Sequence, residues 1–309
     1  MSWLLREIAS RSADVETPDV SVCIPTLDGG SRLAQAVQAL LGQETEHRIE
    51  ILLADSGSTD GSFKELILAN PELRGFVVAP RRFNHGLVRN EMARLARAPL
   101  VAFFSQDAVP HPRCLSHLAA AFSDPRVVGA YARQLPRPGA DPLLRATLER
   151  WTPAGTDLVY QEEGTTPWET RSPEEKMRCA RFDNVASMAR RAMLLSSPFE
   201  EVEFGEDILW GAGMIQSGHR IAYVPLAEVE HSHAPVLLET FRRNRVAHQQ
   251  ARRDFGLEAV PSLGVAARAL ISGLPSDARE GGLTWAVKGL PRRAAALAGQ
   301  WLGSRDAAE

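Results

Sequence analysis

Cysteine is scarce in this chain, with three residues among 309 and none of them in a C-x-x-C pair. Cys23, Cys114 and Cys179 are spread along the sequence, which argues against a structural zinc site and against a disulfide framework. No stretch reaches roughly 18 uninterrupted apolar residues, so no helix is expected to span a membrane. The N-terminus has no long apolar segment, so no signal peptide is predicted. These absences favour a cytoplasmic protein with reduced thiols, in which any contact with the inner face of a membrane is peripheral.

An excess of one charge is missing as well. The chain has 35 Lys and Arg residues against 38 Asp and Glu residues, a formal net charge of -3. Proteins that bind nucleic acid usually carry a basic excess, so no nucleic-acid partner is expected. With 44% hydrophobic residues, a chain of this length suits one large domain with a substantial core, or a domain plus an appendage.

Short apolar runs alternate with helical patterns through the first part of the chain. Four runs are typical of strands: 20–24, 49–54, 75–79 and 100–104. This alternation predicts an α/β fold with a doubly wound, mainly parallel sheet between helices. Ligands of such sheets bind beyond the carboxyl ends of the strands. Pro25-Thr26, Asp55 and Asp107 each follow a predicted strand, so they are expected to converge on one crevice.

The chain divides by pattern into a leader at residues 1–17, a main domain at 18–258 and a helical C-terminal extension at 259–309. Within the main domain, residues 135–180 are rich in Pro, Gly, Thr and charge, which is typical of an irregular functional segment. A predicted helix at 236–255 carries five arginines on a basic face. The extension mixes apolar and basic residues, which suits an interfacial helix at a membrane surface, or a helix that packs on the main domain or on a second subunit.

Two acidic sites have the chemistry of a reaction centre. Asp107 ends an apolar strand, while Glu206 and Asp207 open a predicted helix. His231 and His233 are two residues apart, so in an extended segment they face the same side. A carboxylate with an imidazole could hold a divalent cation, and Asp207, ionised if its pKa is ordinary, could take a proton from a hydroxyl. Turn formation at Asp107, helix capping by the acid pair and two ordinary histidines are the simpler alternatives. The combination suits an enzyme that moves a sugar from a nucleotide diphosphate to an alcohol.

Two further stretches could contact a nucleotide. Asp55 is followed by Ser-Gly-Ser, and its carboxylate could accept a hydrogen bond from the ring N–H of a pyrimidine. A turn cap is the alternative that spacing alone favours. The stretch 81–90 contains Asn84 and Arg89 beside other basic residues at a helix start, which suits phosphate binding or a solvated helix end.

Taken together, these stretches resemble the family 2 glycosyltransferases of the GT-A fold. The resemblance covers about residues 18–255 and rests on five stretches of the sequence, which are 21–26, 55–62, Gly86 with Arg89-Asn90, 105–108 and 206–207. Within that family, the stretches at 83–86, 105–108 and 231–233, followed by an arginine-rich helix, look most like the bacterial rhamnosyltransferases. Those enzymes use dTDP-rhamnose to build cell-surface polysaccharides. The resemblance implies a Rossmann-like, mixed but mainly parallel sheet flanked by helices.

The resemblance also implies a set of donor-binding residues. The set is Pro25, Thr26, Asp55, Asn84, Arg89, Ser105, Gln106 and Asp107. Pro25, Thr26 and Asp55 would hold the nucleoside, with Asp55 on the pyrimidine. Arg89 would help to bind the nucleotide or its phosphates.

A metal site and a general base are implied in the same way. Asp107, with His231 or His233, would coordinate a Mg²⁺ or Mn²⁺ ion that bridges the diphosphate. Asp207 would be the general base, and Glu206 beside it would position the acceptor. Ser105 departs from the family pattern, because many relatives carry the first Asp of a D-x-D motif there. The loss of that carboxylate weakens the case for tight metal binding.

The sequence therefore predicts a metal-dependent, inverting glycosyltransferase whose acceptor is a glycan or a polyprenyl-linked glycan. A UDP- or GDP-sugar donor is one alternative, and a catalytically degenerate glycan-binding homologue is another. A nucleotidyltransferase is disfavoured because the loop after the first strand lacks lysine. The extension leaves two partners open: a membrane surface, or a second copy of the chain.

Overall fold

The structure is a computed structural model. The part of the chain that it describes is built around one mixed sheet. The described residues are 5–9, 17–79, 83–140, 142–231, 236–272, 274–275, 278 and 282–306. The strands are β1 (Leu5–Ala9), β2 (Val20–Thr26), β3 (Ile49–Asp55), β4 (Arg74–Val78), β5 (Leu100–Phe104), β6 (Val109–Pro110), β7 (Val127–Leu135), β8 (Val159–Gln161), β9 (Ala186–Arg190) and β10 (Arg220–Glu230). Their order is β1-β4-β3-β2-β5-β9-β7-β10-β6, with β8 beside β10.

Parallel pairing confirms the α/β fold that the sequence predicts. β2 runs parallel to β3 and to β5, and β3 runs parallel to β4. These strands are apolar on both faces because helices cover both sides of the sheet. In the β2–β3 ladder the last pair is Thr26 with Asp55, so both residues lie at the carboxyl edge, where the ligands of such sheets bind.

Helices cover the two faces of the sheet. They are α1 (Gly30–Leu41), α2 (Ser62–Ala69), α3 (His85–Leu95), α4 (Cys114–Ala120), α5 (Pro142–Trp151), α6 (Pro173–Cys179), α7 (Arg191–Ser196), α8 (Glu206–Gln216), α9 (Leu237–Phe255), α10 (Leu263–Ser272) and α11 (Leu283–Asp306). Helices α1, α2 and α4 pack into one apolar layer, whereas α3, α7 and α8 pack into the other. The buried stripe of α1, formed by Leu33, Val37 and Leu40, has the spacing of a single helix face. None of the described helices is both long and apolar enough to cross a membrane.

Two segments differ from their sequence interpretations. Leu5–Ala9, assigned to the leader, pairs antiparallel with β4 as an edge strand. Its Glu7 carboxylate accepts a hydrogen bond from Arg74 at 3.1 Å, and Leu5 is buried. The stretch 135–180, interpreted as irregular, contains α5, β8 and α6. Both segments carry too many charged residues for a clear apolar period, so their order depends on contacts with distant parts of the chain.

Helix α11 packs closely along α9. Gly299 and Gly303, one turn apart on α11, are buried against the α9 backbone, where a Cβ would meet the carbonyl oxygens of Phe241 and Arg245. Arg245 also forms an ion pair with Asp306 at 2.6 Å. Helix α11 therefore rests on α9 through glycines that let the two backbones approach.

We expect Gly303→Ala to destabilise the protein by about 1–3 kcal/mol, because the added methyl group has no space against the Arg245 carbonyl. The free energy of unfolding in urea measures this effect. Gly213→Ala is the matched control, since Gly213 lies within α8 and a Cβ there meets nothing within 4 Å. The control should be neutral or slightly stabilising. Equal stability of the two variants would contradict the close α9–α11 contact.

Candidate active site

The loops after β2 and β3 are interlocked at the carboxyl edge of the sheet. Asp28, which has a left-handed φ of 45°, accepts a hydrogen bond from the Thr59 amide at 2.7 Å. The Gly30 amide donates to Asp60 Oδ2 at 2.9 Å. These bonds hold the two loops in a fixed relation, which in turn fixes the exit of β2 at Thr26.

Asp55 lies at this edge and also caps its own turn. Its carboxylate accepts hydrogen bonds from the amides of Gly57 at 3.2 Å and Ser58 at 3.1 Å, and from the Ser58 hydroxyl at 2.5 Å. An ionised carboxylate has about four lone-pair positions, so these bonds leave room for a further donor. The turn cap is therefore present, and contact with a pyrimidine remains a prediction.

Gln106 connects the ends of β2 and β5. Its Oε1 accepts hydrogen bonds from the Thr26 hydroxyl at 2.7 Å and from the Leu27 amide at 2.8 Å. Its Nε2 donates to the Leu27 carbonyl at 3.0 Å. The side-chain amide is thus engaged in holding the loop after β2, and a direct role in donor binding remains a prediction.

Asp107 and His231 lie close together, as the sequence predicts. Arg137, which the sequence does not single out, lies beside them. His231 Nε2 lies 3.5 Å from Asp107 Oδ1. The Arg137 guanidinium donates to the Asp107 carbonyl oxygen and lies 3.9 Å from the carboxylate Oδ2. Asp107 is buried. His233 falls outside the described residues. The site therefore pairs one carboxylate with one imidazole and places a cationic side chain next to them.

The orientation of the Gln134 side-chain amide indicates which ring nitrogen of His231 carries the proton. Gln134 Nε2 donates to Asp183 Oδ2 at 2.5 Å, so its oxygen faces His231 Nδ1 at 2.9 Å. That oxygen can only accept, and the imidazole must therefore be protonated at Nδ1. In the tautomer protonated at Nδ1, Nε2 turns its lone pair towards the Asp107 carboxylate, so one cation could bind both groups.

This donor set fits a shared rather than an enclosed metal ion. Among the described residues, no group of three or more His, Cys, Asp and Glu side chains could hold a metal. Asp107 and His231 supply an oxygen and a nitrogen, which suit Mn²⁺ and, less well, Mg²⁺. Ions of this kind often take their remaining ligands from water and substrate phosphates.

The predicted acid pair opens α8 after Gly205, whose φ is 83°. The Asp207 carboxylate accepts hydrogen bonds from the Asn184 amide at 3.0 Å and from the Ile208 amide at 2.9 Å. Glu206 is buried and forms an ion pair with Arg89, which is also buried. In this structure Arg89 thus holds Glu206, and its predicted role at the phosphates requires that it reach the donor as well.

The environment of Asp207 changes its acidity. Removal from water and, to a smaller extent, the negative charges of Glu206 and Asp183 together raise the pKa of Asp207 to about 8, against smaller opposing effects of the Asn184 amide and Arg89. The sequence interpretation assumed an ordinary pKa and an ionised group at neutral pH. In this structure the carboxyl group instead keeps its proton through much of the neutral range.

A cavity of about 490 Å³ opens in front of the acid pair. Among the residues that line it are Ser105, Gln134, Asp183, Glu206 and Asp207. Gln134 also contacts His231, so the Asp107–His231 pair adjoins this cavity through one side chain. Asp107 and His231 themselves do not line the cavity.

Asn84 has a local structural role. Its Oδ1 caps α3 by accepting from the Leu87 amide at 3.1 Å, and its Nδ2 donates to the Val202 carbonyl at 2.8 Å. The side chain thereby ties α3 to the segment that leads into α8. Pro25 lies within β2, next to Thr26. Contact of either residue with a donor remains a prediction.

Three residues of the site carry no sequence signal that identifies them. Asp183 accepts from Gln134, from Trp151 Nε1 at 2.9 Å and from the Val185 amide at 3.0 Å. Gln134 lies in β7, and Arg137 lies in the segment that follows β7. Only the folding of β7 beside β9 and β10 brings these side chains to the edge, so no local motif marks them.

Sequence comparison gives a family match and relatives of similar length. The chain matches the model for Glycosyl transferase family 2 over residues 21–196. It is 29% identical over 250 residues to the O-antigen chain rhamnosyltransferase RfbN of Salmonella typhimurium, covering 77% of this chain and 76% of the relative. It is 26% identical over 249 residues to the O-antigen chain rhamnosyltransferase WbaN of Salmonella anatum, with the same coverage.

Solved structures share the fold at low sequence identity. The mannosyltransferase PcManGT from Pyrobaculum calidifontis, in complex with GDP-Man and Mn²⁺, superposes with a TM-score of 0.61 and 17% identity over 95% of this chain and 88% of that one. TarS 1-349 of S. aureus, in complex with UDP-GlcNAc, gives a TM-score of 0.52 and 14% identity over 91% and 90%. The described sheet therefore has the architecture of these nucleotide-sugar-binding proteins.

Proposed function

The chain belongs to glycosyl transferase family 2, and from that premise we propose that it moves a rhamnosyl group from dTDP-rhamnose to a hydroxyl group of a glycan. The reaction would invert the anomeric carbon and serve the synthesis of a cell-surface polysaccharide. Similarity to two O-antigen rhamnosyltransferases over most of the chain supports the choice of donor. The observation that carries the proposal is the linked placement of the Asp107–His231 pair and Asp207 around Gln134.

On the donor side, Thr26 and Asp55 at the carboxyl edge would contact the nucleoside. Asp107 and His231 would hold a Mn²⁺ or Mg²⁺ ion, which when bound offsets the negative charge of the diphosphate. Arg137 adds a positive charge beside Asp107, where it favours the same phosphates. The Mn²⁺ present with PcManGT supports this assignment.

On the acceptor side, Asp207 would accept the proton of the attacking hydroxyl. The acceptor oxygen forms the new bond to the anomeric carbon while the bond to the diphosphate oxygen breaks, and the diphosphate leaves with that electron pair. Glu206, held by Arg89, fixes the start of α8 and so the position of Asp207. A single displacement of this kind inverts the configuration of the sugar.

The transfer rate should rise with pH up to about 8, because only ionised Asp207 can accept a proton and its pKa is raised to about 8. Below that pH we expect the rate to increase about tenfold per pH unit. Asp183→Asn removes one neighbouring negative charge, so the pKa of Asp207 should fall and the rise should move to lower pH. Asp157→Asn, an exposed position, is the control. A profile that Asp183→Asn leaves unshifted would contradict the assignment of Asp207.

A donor panel tests the proposal directly. Purified protein with Mn²⁺ is compared for thermal stabilisation and for donor turnover with dTDP-rhamnose, UDP-glucose and GDP-mannose, since a ligand that binds the folded state raises the melting temperature. We expect the largest shift with dTDP-rhamnose. A larger shift with UDP- or GDP-sugar would reassign the donor and leave the chemistry intact. Binding without turnover would favour a degenerate glycan-binding protein, and a product of retained configuration would exclude the single displacement.

A further inference from the structure

A second cavity, of about 1120 Å³, lies among α5, α9, α10 and α11. We name it the arginine cavity, after the five arginines that line it: Arg150, Arg181, Arg243, Arg292 and Arg293. Apolar side chains complete its walls, among them Leu148, Val260 and Leu297. The cavity thus combines a high density of positive charge with an apolar surface.

Among the described residues that line the arginine cavity, none is an aspartate or a glutamate. Within the described part of the chain, Arg150, Arg181 and Arg243 form no ion pair with a carboxylate. This differs from Arg74 and Arg89, which are buried and paired with acids. Arg150, Arg181 and Arg243 repel one another in this partly apolar cavity, and an anion would relieve that repulsion.

Two buried polar groups in this cavity have no hydrogen-bond partner. They are Thr240 Oγ1 and Arg181 Nε. Thr240 is only 7% exposed, so its unpaired hydroxyl carries a desolvation cost. Arg181 is stacked on the Trp151 ring at 4.6 Å, which orients its guanidinium. Buried donors without partners are commonly completed by a ligand or by water.

The arginine cavity adjoins the cavity in front of Asp207. Trp151, Phe204, Arg243 and Ala247 line both cavities. Arg243 therefore lies at the boundary between the arginine cavity and the candidate active site. Large apolar residues are exposed on the same helices, including Val265 and Ile271 on α10, so one end of such a molecule could be apolar.

We propose that the arginine cavity binds a phosphate group carried by the acceptor, while the acceptor's hydroxyl group reaches Asp207. The ligand class is a phosphate ester, and Arg243 and Arg181 are the cations placed to contact it, with the Thr240 hydroxyl as an additional donor. The assignment to the acceptor rests on the proposed transferase function. The presence of an anion site in this cavity does not, and it is tested by binding alone.

Isothermal titration of the full chain tests the proposal with three probes. These are inorganic phosphate, dodecyl phosphate and the uncharged dodecyl maltoside, all below micelle-forming concentrations. We expect one phosphate-bearing molecule to bind per chain, and dodecyl maltoside not to compete with it. Tighter binding of dodecyl phosphate would identify a lipid phosphate, and equal binding of inorganic phosphate would identify a soluble phosphate ester. Titrations repeated with saturating dTDP and Mn²⁺ should still show binding, because the donor site is separate.

Arg243→Gln should weaken phosphate binding about tenfold, as expected for loss of one charge-assisted hydrogen bond. Arg242→Gln is the matched control, since Arg242 is the preceding residue of α9 and lines neither cavity. Both positions are exposed, so both variants should fold. Absence of saturable binding by either phosphate probe, equal weakening by the two variants, or complete displacement by dTDP would overturn the proposal. Binding without sugar transfer would keep the anion site and reject the proposed function.

Discussion

Asp207→Asn should lower the rate of sugar transfer by roughly 10²–10⁴-fold, the range over which a general base usually contributes. Asparagine keeps the size of the side chain, and its single oxygen can still accept from one of the Asn184 and Ile208 amides, but it cannot take a proton from the acceptor. Donor binding should change little, since the Asp107–His231 pair is untouched. Steady-state kinetics measure kcat, and titration with the donor measures Kd.

The same substitution should stabilise the fold, and the gain should grow with pH. The pKa of Asp207 is raised from 3.8 to about 8 in the folded protein, so between these values the folded state binds the proton and the unfolded state does not. The contribution of Asp207 to the free energy of unfolding is therefore most favourable at low pH and is lost as pH rises towards 8. Neutral asparagine removes this loss, so the melting temperature of the variant should exceed that of the native protein most clearly near pH 8.

Glu201→Gln is the control for both measurements, because Glu201 is exposed and lies outside the cavity in front of α8. It should leave the rate and the pH dependence of stability unchanged. Transfer by Asp207→Asn within about threefold of the native rate would reject Asp207 as the base. A difference in melting temperature that stays constant from pH 5 to pH 8 would reject its raised pKa.

Arg89→Met should destabilise the protein by about 3–5 kcal/mol, the usual cost of leaving one partner of a buried ion pair uncompensated. Arg89 and Glu206 are each about 8% exposed in their side chains, so water cannot replace the lost partner. Adding Glu206→Gln should recover much of the loss, since neither member of the pair then leaves an uncompensated charge. Urea unfolding of the two single variants and the double variant completes the cycle.

Arg94→Met is the matched control on the same helix. Its ion pair with Glu91 spans 3.8 Å, and the Arg94 side chain is 67% exposed, so the loss should be below about 1 kcal/mol. Equal losses at positions 89 and 94, or simple additivity in the double variant, would contradict a buried pair. Donor Kd in the double variant adds a second test. An unchanged Kd would confine Arg89 to holding Glu206, and a weakened one would support its predicted contact with the nucleotide.

The parallel half of the sheet was predictable because its strands are apolar on both faces. Residues 20–24 and 100–104 show this pattern, and the structure places them side by side in β2 and β5. β9 was not predicted. It is a five-residue strand that runs antiparallel between β5 and β7, and its Ser187 and Arg190 break any apolar run. Its position depends on two strands from elsewhere in the chain.

The candidate site was predictable where a residue type and its place in an element carry the chemistry. Asp207 at a helix start and Asp107 with His231 belong to this group. Asp183 could not be found in this way, since an acid in an irregular segment resembles any surface residue until Gln134 and Trp151 fold over it. The engagement of Gln106 with the loop after β2 is likewise a tertiary contact that no spacing reveals.

The close contact of Gly299 and Gly303 with α9 affects what a deletion of the C-terminal helices can show. These glycines let α11 shield a face of α9, and deletion of residues 259–309 would leave that face bare. Such a shortened protein would be prone to aggregate or to bind vesicles, whether or not the native protein binds membranes. Liposome flotation of the deletion variant would then report on a newly exposed surface. Substitutions of exposed residues such as Val287 or Ile271 in the intact chain test instead whether the C-terminal helices bind lipid.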